Sequence, residues 1–245
     1  MDLVYSKTAE ELGQKAASHA ARLLKEAIDS NGSARLLLST GTSQFTTLDA
    51  LTNEQSVDWE KVEMFHLDEY LGINDEHPAS FVKYLKERFV SKISLGKVHF
   101  VDTAGDVKTL IENLSAEINK KQIDVGLIGI GENAHIAFND PPADFDTEEA
   151  FIIVTLAESC RQQQLGEGWF KTLEDVPAQA VTITVNQILK CKHIISAVPY
   201  KVKAKAVHDT LNSEAITETI PATALRKHGA ATLYVDKDSA SMLDN

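Results

Sequence analysis

Three short segments of this chain hold residue types whose spacing could do chemistry. In Ser39-Thr40-Gly41-Thr42-Ser43, hydroxyls and a glycine lie between an apolar run ending at Leu38 and a helical pattern from about Gln44 to Leu51. Hydroxyls, a glycine and free amides at a helix start can cradle one anionic group, although the same residues also suit an ordinary polar turn with a helix cap. The lysine of a GxxxxGK[ST] loop is missing, so nucleoside triphosphate chemistry loses its main support. In His66-Leu67-Asp68-Glu69-Tyr70, an apolar run leads straight into two adjacent acids. Burial of either would raise its pKa, and each disfavours ionisation of the other. A carboxylate raised in this way is what proton abstraction beside a carbonyl requires. The alternative is a solvated strand end with two surface charges, and His66 is expected to pack rather than react.

The third segment runs from Gly129 to Pro142 and reads GIGENAHIAFNDPP. Its opening passes for a GxGxxA dinucleotide fingerprint, but that fingerprint must open a helix, and the Pro141-Pro142 pair follows His135 too closely to leave room for one. No nicotinamide is therefore implied. What remains is a glycine turn presenting His135 between Asn133 and Asp140, suited to a proton shuttle whose tautomer its neighbours set, or else to a structural turn histidine. No HExxH or Cys/His spacing accompanies it, so no metal is expected.

The elements that must position these loops follow from periodicity. Apolar positions at helical spacing run from 8 to 29 and stop near Asn31-Gly32, a helix C-terminal signal. Strand-like runs are expected at 34–38, 62–67, 97–101, 123–130, 151–156, 181–185, 193–198 and 231–235, with helical patterns clearest at 79–93, 106–119 and 201–211. Such alternation predicts an α/β fold: a Rossmann-like, largely parallel sheet with helices on both faces. In open sheets of this kind ligands sit beyond the carboxyl ends of the strands, where all three loops lie. No repeat, low-complexity tract or linker divides the chain, and a single domain over 1–245 is expected.

Composition sets the class of partner. With 43% hydrophobic and 24% charged residues the chain should fold, and its 24 basic against 36 acidic side chains leave a net charge of −12. A field of that sign repels nucleic acid and anionic membrane surfaces, while still allowing one small phosphate to be held by local donors. No bilayer-length apolar stretch and no basic-then-apolar start are present, which points to the cytoplasm. Cys160 and Cys191 are too few for a disulfide scaffold and are expected to be packed thiols.

Taken together, the loops resemble the glucosamine-6-phosphate deaminase family. The resemblance rests on Asp68-Glu69-Tyr70 followed by His77-Pro78-Ala79-Ser80-Phe81, on Gly-x-Gly-x-x-x-His135-Ile136-Ala137-Phe138-Asn139, and on Lys201 after the strand at 193–198. The related 6-phosphogluconolactonases share the glycine-histidine loop but usually have arginine after the Asp-Glu pair and threonine after the histidine, where this chain has Tyr70 and Ile136. The resemblance implies isomerisation and deamination of a hexosamine 6-phosphate, of either the gluco or the galacto epimer, to a ketohexose 6-phosphate and ammonia. It implies Asp68 as base between C2 and C1, His135 in ring opening, and Asn133 and Asp140 orienting that histidine. The Ser39 to Ser43 loop and Lys201 would hold the phosphate, and Glu69, beside the base, and Arg161, the one arginine available in its stretch, would be further substrate contacts. No cofactor is implied, and a homo-oligomer is left open. A lactonase-type hydrolase and a sugar-phosphate sensor without turnover are the competing readings. The family's usual residues differ at Asn133, Ala134 and Asp140.

Overall fold

The computed structural model describes residues 1–243. Its main sheet has seven strands, all parallel, in the order β1-β10-β9-β6-β2-β3-β5. These are β1 (Asp2–Ser6), β2 (Ala34–Leu38), β3 (Val62–His66), β5 (Lys97–His99), β6 (Val125–Leu127), β9 (His193–Val198) and β10 (Ala231–Asp236). The edge strand β1 lies ahead of every element read from the sequence. Side-chain alternation splits β2 between two cores: Ala34, Leu36 and Leu38 face one cluster and Leu37 the other.

The first cluster is covered by α1 (Ala9–Asn31), α2 (Phe45–Thr52) and α3 (Phe81–Arg88). The second is covered by α4 (Val107–Ile118), α6 (Val185–Leu189) and α7 (Ala204–Asn212). Local chemistry sets the ends of these helices. Thr8 caps α1 by accepting the Glu11 amide, Gly32 closes it with φ 78°, and Ser80 and Asp106 cap α3 and α4. The remaining helix, α5 (Glu158–Gly166), lies outside both layers.

One expectation is corrected. The runs at 151–156 and 181–185 do not join the main sheet. They form β7 (Phe151–Thr155) and β8 (Gln179–Ile183) of a second sheet, antiparallel and three-stranded, with β4 (Asp68–Tyr70) at its edge. A run of apolar residues reports burial but not which strand it pairs with. The second sheet continues directly from β3, and Phe151, Val181 and Ile183 share a core cluster with Ile194 and Leu233 of the main sheet. Among the described residues no helix is long and apolar enough to cross a membrane, and Cys160 and Cys191 are free and buried.

The chain order reverses at the centre of the main sheet. From β2 it proceeds outward to β3 and β5, then returns to β6 on the other side and proceeds to β9 and β10. The crevice beyond the β2 and β6 ends is the place where such a fold admits a ligand.

Candidate active site

A cleft partly open to solvent occupies that crevice. The loops after β2, β3, β6 and β9 supply its walls: Ser39 to Ser43, Leu67 and Asp68, Gly129 to Gly131 with His135, and Lys203. Gln163, Gln164 and Glu167 of the α5 segment close one side.

Asp68 and Glu69 stand on β4 (Asp68–Tyr70), where successive side chains point to opposite faces. Asp68 lines the cleft. Burial, reinforced by the neighbouring Glu69 and partly offset by the Phe138 amide, pushes its carboxyl up to about 8. Glu69 faces away from the cleft and accepts the Ser80 hydroxyl at 2.7 Å and the Val82 and Tyr70 amides at 2.9 and 3.0 Å. Burial raises it to about 7, against those same donors. The expectation that Glu69 contacts substrate is corrected: a strand cannot turn two consecutive side chains into one pocket. His66 is fully buried, receives the Val101 amide at 3.4 Å and is held near 3 by burial, as a packed neutral ring.

His135 reaches the cleft from the glycine turn. Gly131 makes room for it, since a Cβ there would stand 2.2 Å from the imidazole Cε1. Ala134 and Ala137 flank it in left-handed backbone, φ 65° and 49°, which turns the chain where a helix would otherwise start. Asp140 Oδ1 lies 3.3 Å from His135 Nδ1, an approach too skewed for a well-formed hydrogen bond. Asn133 bridges: its Oδ1 accepts the His135 amide at 3.1 Å and its Nδ2 donates to Asp140 Oδ1 at 3.1 Å. The Ala157 amide donates to Asp140 Oδ2 at 3.0 Å. Burial alone would raise Asp140, but His135, Asn133 and Ala157 outweigh it and leave the carboxyl below its ordinary value.

The loops after β2 and β9 supply the groups suited to an anion. Gly41 takes φ 100°, its carbonyl accepts the Tyr84 hydroxyl at 2.9 Å, and Thr42–Gln44 wind into a 3₁₀ turn ahead of α2. Gln44 ties the turn to β9 through the Ala197 carbonyl at 3.0 Å. Ser39 Oγ is buried without a hydrogen-bond partner. Lys203, 6% exposed, lines the same cleft and has no ion pair among the described residues. Burial lowers its pKa, with Glu167 and Glu132 opposing.

Two expected phosphate ligands are elsewhere. Lys201 is exposed and does not line the cleft, because 3₁₀ winding places residues two apart on different faces. The signal that identifies Lys203 was present in the sequence: Lys203, Ala206, Val207 and Thr210 form one buried stripe at helical spacing. Arg161 is also corrected. It donates to the carbonyls of Leu173 at 2.6 Å and Val176 at 3.0 Å, so it caps a turn behind the cleft. The α5 face that meets the cleft carries Gln163, Gln164 and Glu167 instead. Phe170 is buried against His77 and Tyr70, with ring centroids 5.5 and 5.6 Å apart, so this aromatic is a core anchor.

Among the described residues two groups could offer metal ligands, His135 with Asp140 and Cys160, and Glu63 with His99 and Glu117. In the first, Asp140 is already engaged by Asn133 and Ala157. In the second, Arg35 and His99 occupy Glu63.

The sequence model for glucosamine-6-phosphate isomerases/6-phosphogluconolactonase matches residues 7–234. The glucosamine-6-phosphate deaminase of Shouchella clausii is 34% identical, covering 99% of this chain and 97% of its own length. Glucosamine-6-phosphate deaminase 1 of Bacillus subtilis is 32% identical, with 99% of each chain covered. The solved structure of a monomeric glucosamine-6-phosphate deaminase superposes with a TM-score of 0.90 at 30% identity, over 99% of this chain and 100% of that one. The 6-phosphogluconolactonase of Trypanosoma brucei shares the fold, with a TM-score of 0.80 at 17% identity over 99% and 98% of the two chains. By the extent of these matches, and with the cleft where the fold places it, the chain belongs to the glucosamine-6-phosphate isomerase/6-phosphogluconolactonase family.

Proposed function

We propose that this protein converts glucosamine 6-phosphate to fructose 6-phosphate and ammonia. The observation that carries the reading is one cleft lined both by a buried carboxyl raised to about 8 and by a buried lysine without an ion pair among the described residues. The phosphate sits among Ser39 to Ser43 and Lys203, which supply hydroxyls, turn amides and one charge. Anchored there, the sugar chain is held with C1 and C2 toward Asp68 and His135.

His135 moves the proton that opens the ring, with Asp140 opposite its Nδ1 and Asn133 holding both in register. Asp68 takes the C2 proton of the open-chain aldose and returns it to C1. A carboxyl raised to about 8 is a strong base once ionised, and the C2 ammonium of an arriving hexosamine favours that ionised form. Water then adds at C2 and the amino group leaves as ammonia. Every proton transferred has a donor or acceptor in the chain or in water.

A lactonase or a sensor would need the anion site and His135, but not a base of raised pKa facing C2. Ammonia release from glucosamine 6-phosphate, galactosamine 6-phosphate and unphosphorylated glucosamine, run beside hydrolysis of 6-phosphogluconolactone, tests the reading. Release from the first with none from unphosphorylated glucosamine is expected. Lactone hydrolysis without ammonia release would overturn the assignment.

A further inference from the structure

Lys203 owes its direction to a residue three positions earlier. Tyr200 has φ 80° and ψ 146°, at the edge of a backbone region that is essentially restricted to glycine. Its carbonyl accepts the Lys203 amide at 3.0 Å, so this conformation starts the turn that carries Lys203 into the cleft. Relaxed to an extended φ, Tyr200 would send the following turn in a different direction.

The strained conformation is clamped from the neighbouring strand. Asp236, at the end of β10, is 3% exposed. Its carboxylate takes the Tyr200 amide on both oxygens, at 3.2 and 3.1 Å, and the Ser239 amide at 2.7 Å. No cation pairs with this carboxylate among the described residues, which leaves backbone amides as its partners.

We propose that Asp236 is a positioning residue for the anion site of the cleft, clamping Tyr200 so that Lys203 points at the substrate phosphate. This rests on the proposed role of Lys203. Asp236 touches no substrate. Without it, Tyr200 populates relaxed conformers in which Lys203 is misdirected, and apparent phosphate affinity falls by the fraction that stays competent.

The test is Asp236→Ala alone and combined with Tyr200→Gly, since glycine adopts φ 80° without the clamp. For Asp236→Ala, KM for glucosamine 6-phosphate and the inhibition constant of inorganic phosphate are both expected to rise about 5- to 150-fold, the range that release of one such strained residue implies. kcat changes less than either. Adding Tyr200→Gly restores both constants toward those of the parent. If both constants stay put in Asp236→Ala, or rise and are not restored by the glycine, the clamp is a structural cap and the proposal falls. Should Asp236→Ala fail to fold, Asp236→Asn with and without Tyr200→Gly gives the same comparison, and absence of rescue overturns it equally. Lys203→Met separates the two readings. If it leaves phosphate affinity intact, the anion site was misassigned and the clamp falls with it; if it weakens affinity while Asp236→Ala does not, only the clamp fails.

Discussion

The two sets of groups that line the cleft are built on different principles. Beside Asp68 and His135 the two supporting carboxylates are satisfied by the protein itself, Glu69 by three donors and Asp140 by Asn133 and Ala157, although His135 Nδ1 has no hydrogen-bond partner. In the other set the Ser39 hydroxyl has no partner, and Lys203 is buried without an ion pair among the described residues. A satisfied network holds orientation at no further cost when substrate arrives, whereas unmet buried groups gain most from a ligand. The first set is thus organised for proton transfer and the second for affinity. Mutations should separate along that line, in kcat for one set and in binding for the other.

The largest effect is expected at Asp68. Asp68→Asn should lower turnover at least about 10²-fold, the usual contribution of a positioned general base, while affinity for the sugar phosphate persists. Solvent deuterium incorporated at C1 of the product measures the step directly, and normal incorporation in the variant would refute the role. Next comes the anion site, where Lys203→Met should weaken binding by about 10- to 150-fold, the worth of one buried charge-assisted hydrogen bond. Lys201→Met, on the exposed face of the same turn, should leave affinity within a factor of two of the parent, by the small worth of solvated charges. A reversed result from these two lysines in a titration would undo the contrast between the two sets.

The pH dependence sharpens the same contrast. With Asp68 raised to about 8, kcat/KM should climb on its acidic side through that region, because the base must be ionised. Glu69→Gln removes the neighbouring like charge, so this limb should move to lower pH. Stability follows the same groups. The folded-state carboxyls of Asp68 and Glu69 lie at about 8 and 7 against ordinary values of 3.8 and 4.5, so the unfolded chain releases these protons first. Stability should therefore fall as pH rises between those ranges, and Asp68→Asn should flatten the decline in urea titrations.

The smallest effect is expected at Ala134, whose φ of 65° places an L-residue in left-handed backbone. Ala134→Gly relieves about 1–2 kcal/mol of strain but returns about 0.5–1 kcal/mol of chain entropy, so a gain under about 1.5 kcal/mol should appear in the denaturation midpoint. A loss of stability would show that the loop is held by packing rather than strained.

The amino-acid sequence by itself determined the layered α/β architecture, because period-2 and helical apolar patterns are local properties of the chain. It also determined the three chemical loops, since Ser39 to Ser43, Asp68 and the Gly131 to His135 turn each follow an apolar run by covalent connection. Tertiary structure decided what depends on the pairing and direction of distant segments. The run at 179–183 paired with Asp68–Tyr70 on one side and with 151–155 on the other in a second sheet, and that arrangement put Asp68 in the cleft and Glu69 behind it. Arg161 went to the Leu173 and Val176 carbonyls because α5 presents a different face to the cleft. Lys203 displaced Lys201 because Tyr200, held by Asp236 from another strand, turns the chain in a way that tyrosine does not choose for itself. Local pattern specifies which elements form; which side chain reaches the substrate depends on contacts between residues far apart in the chain, and no local period encodes those.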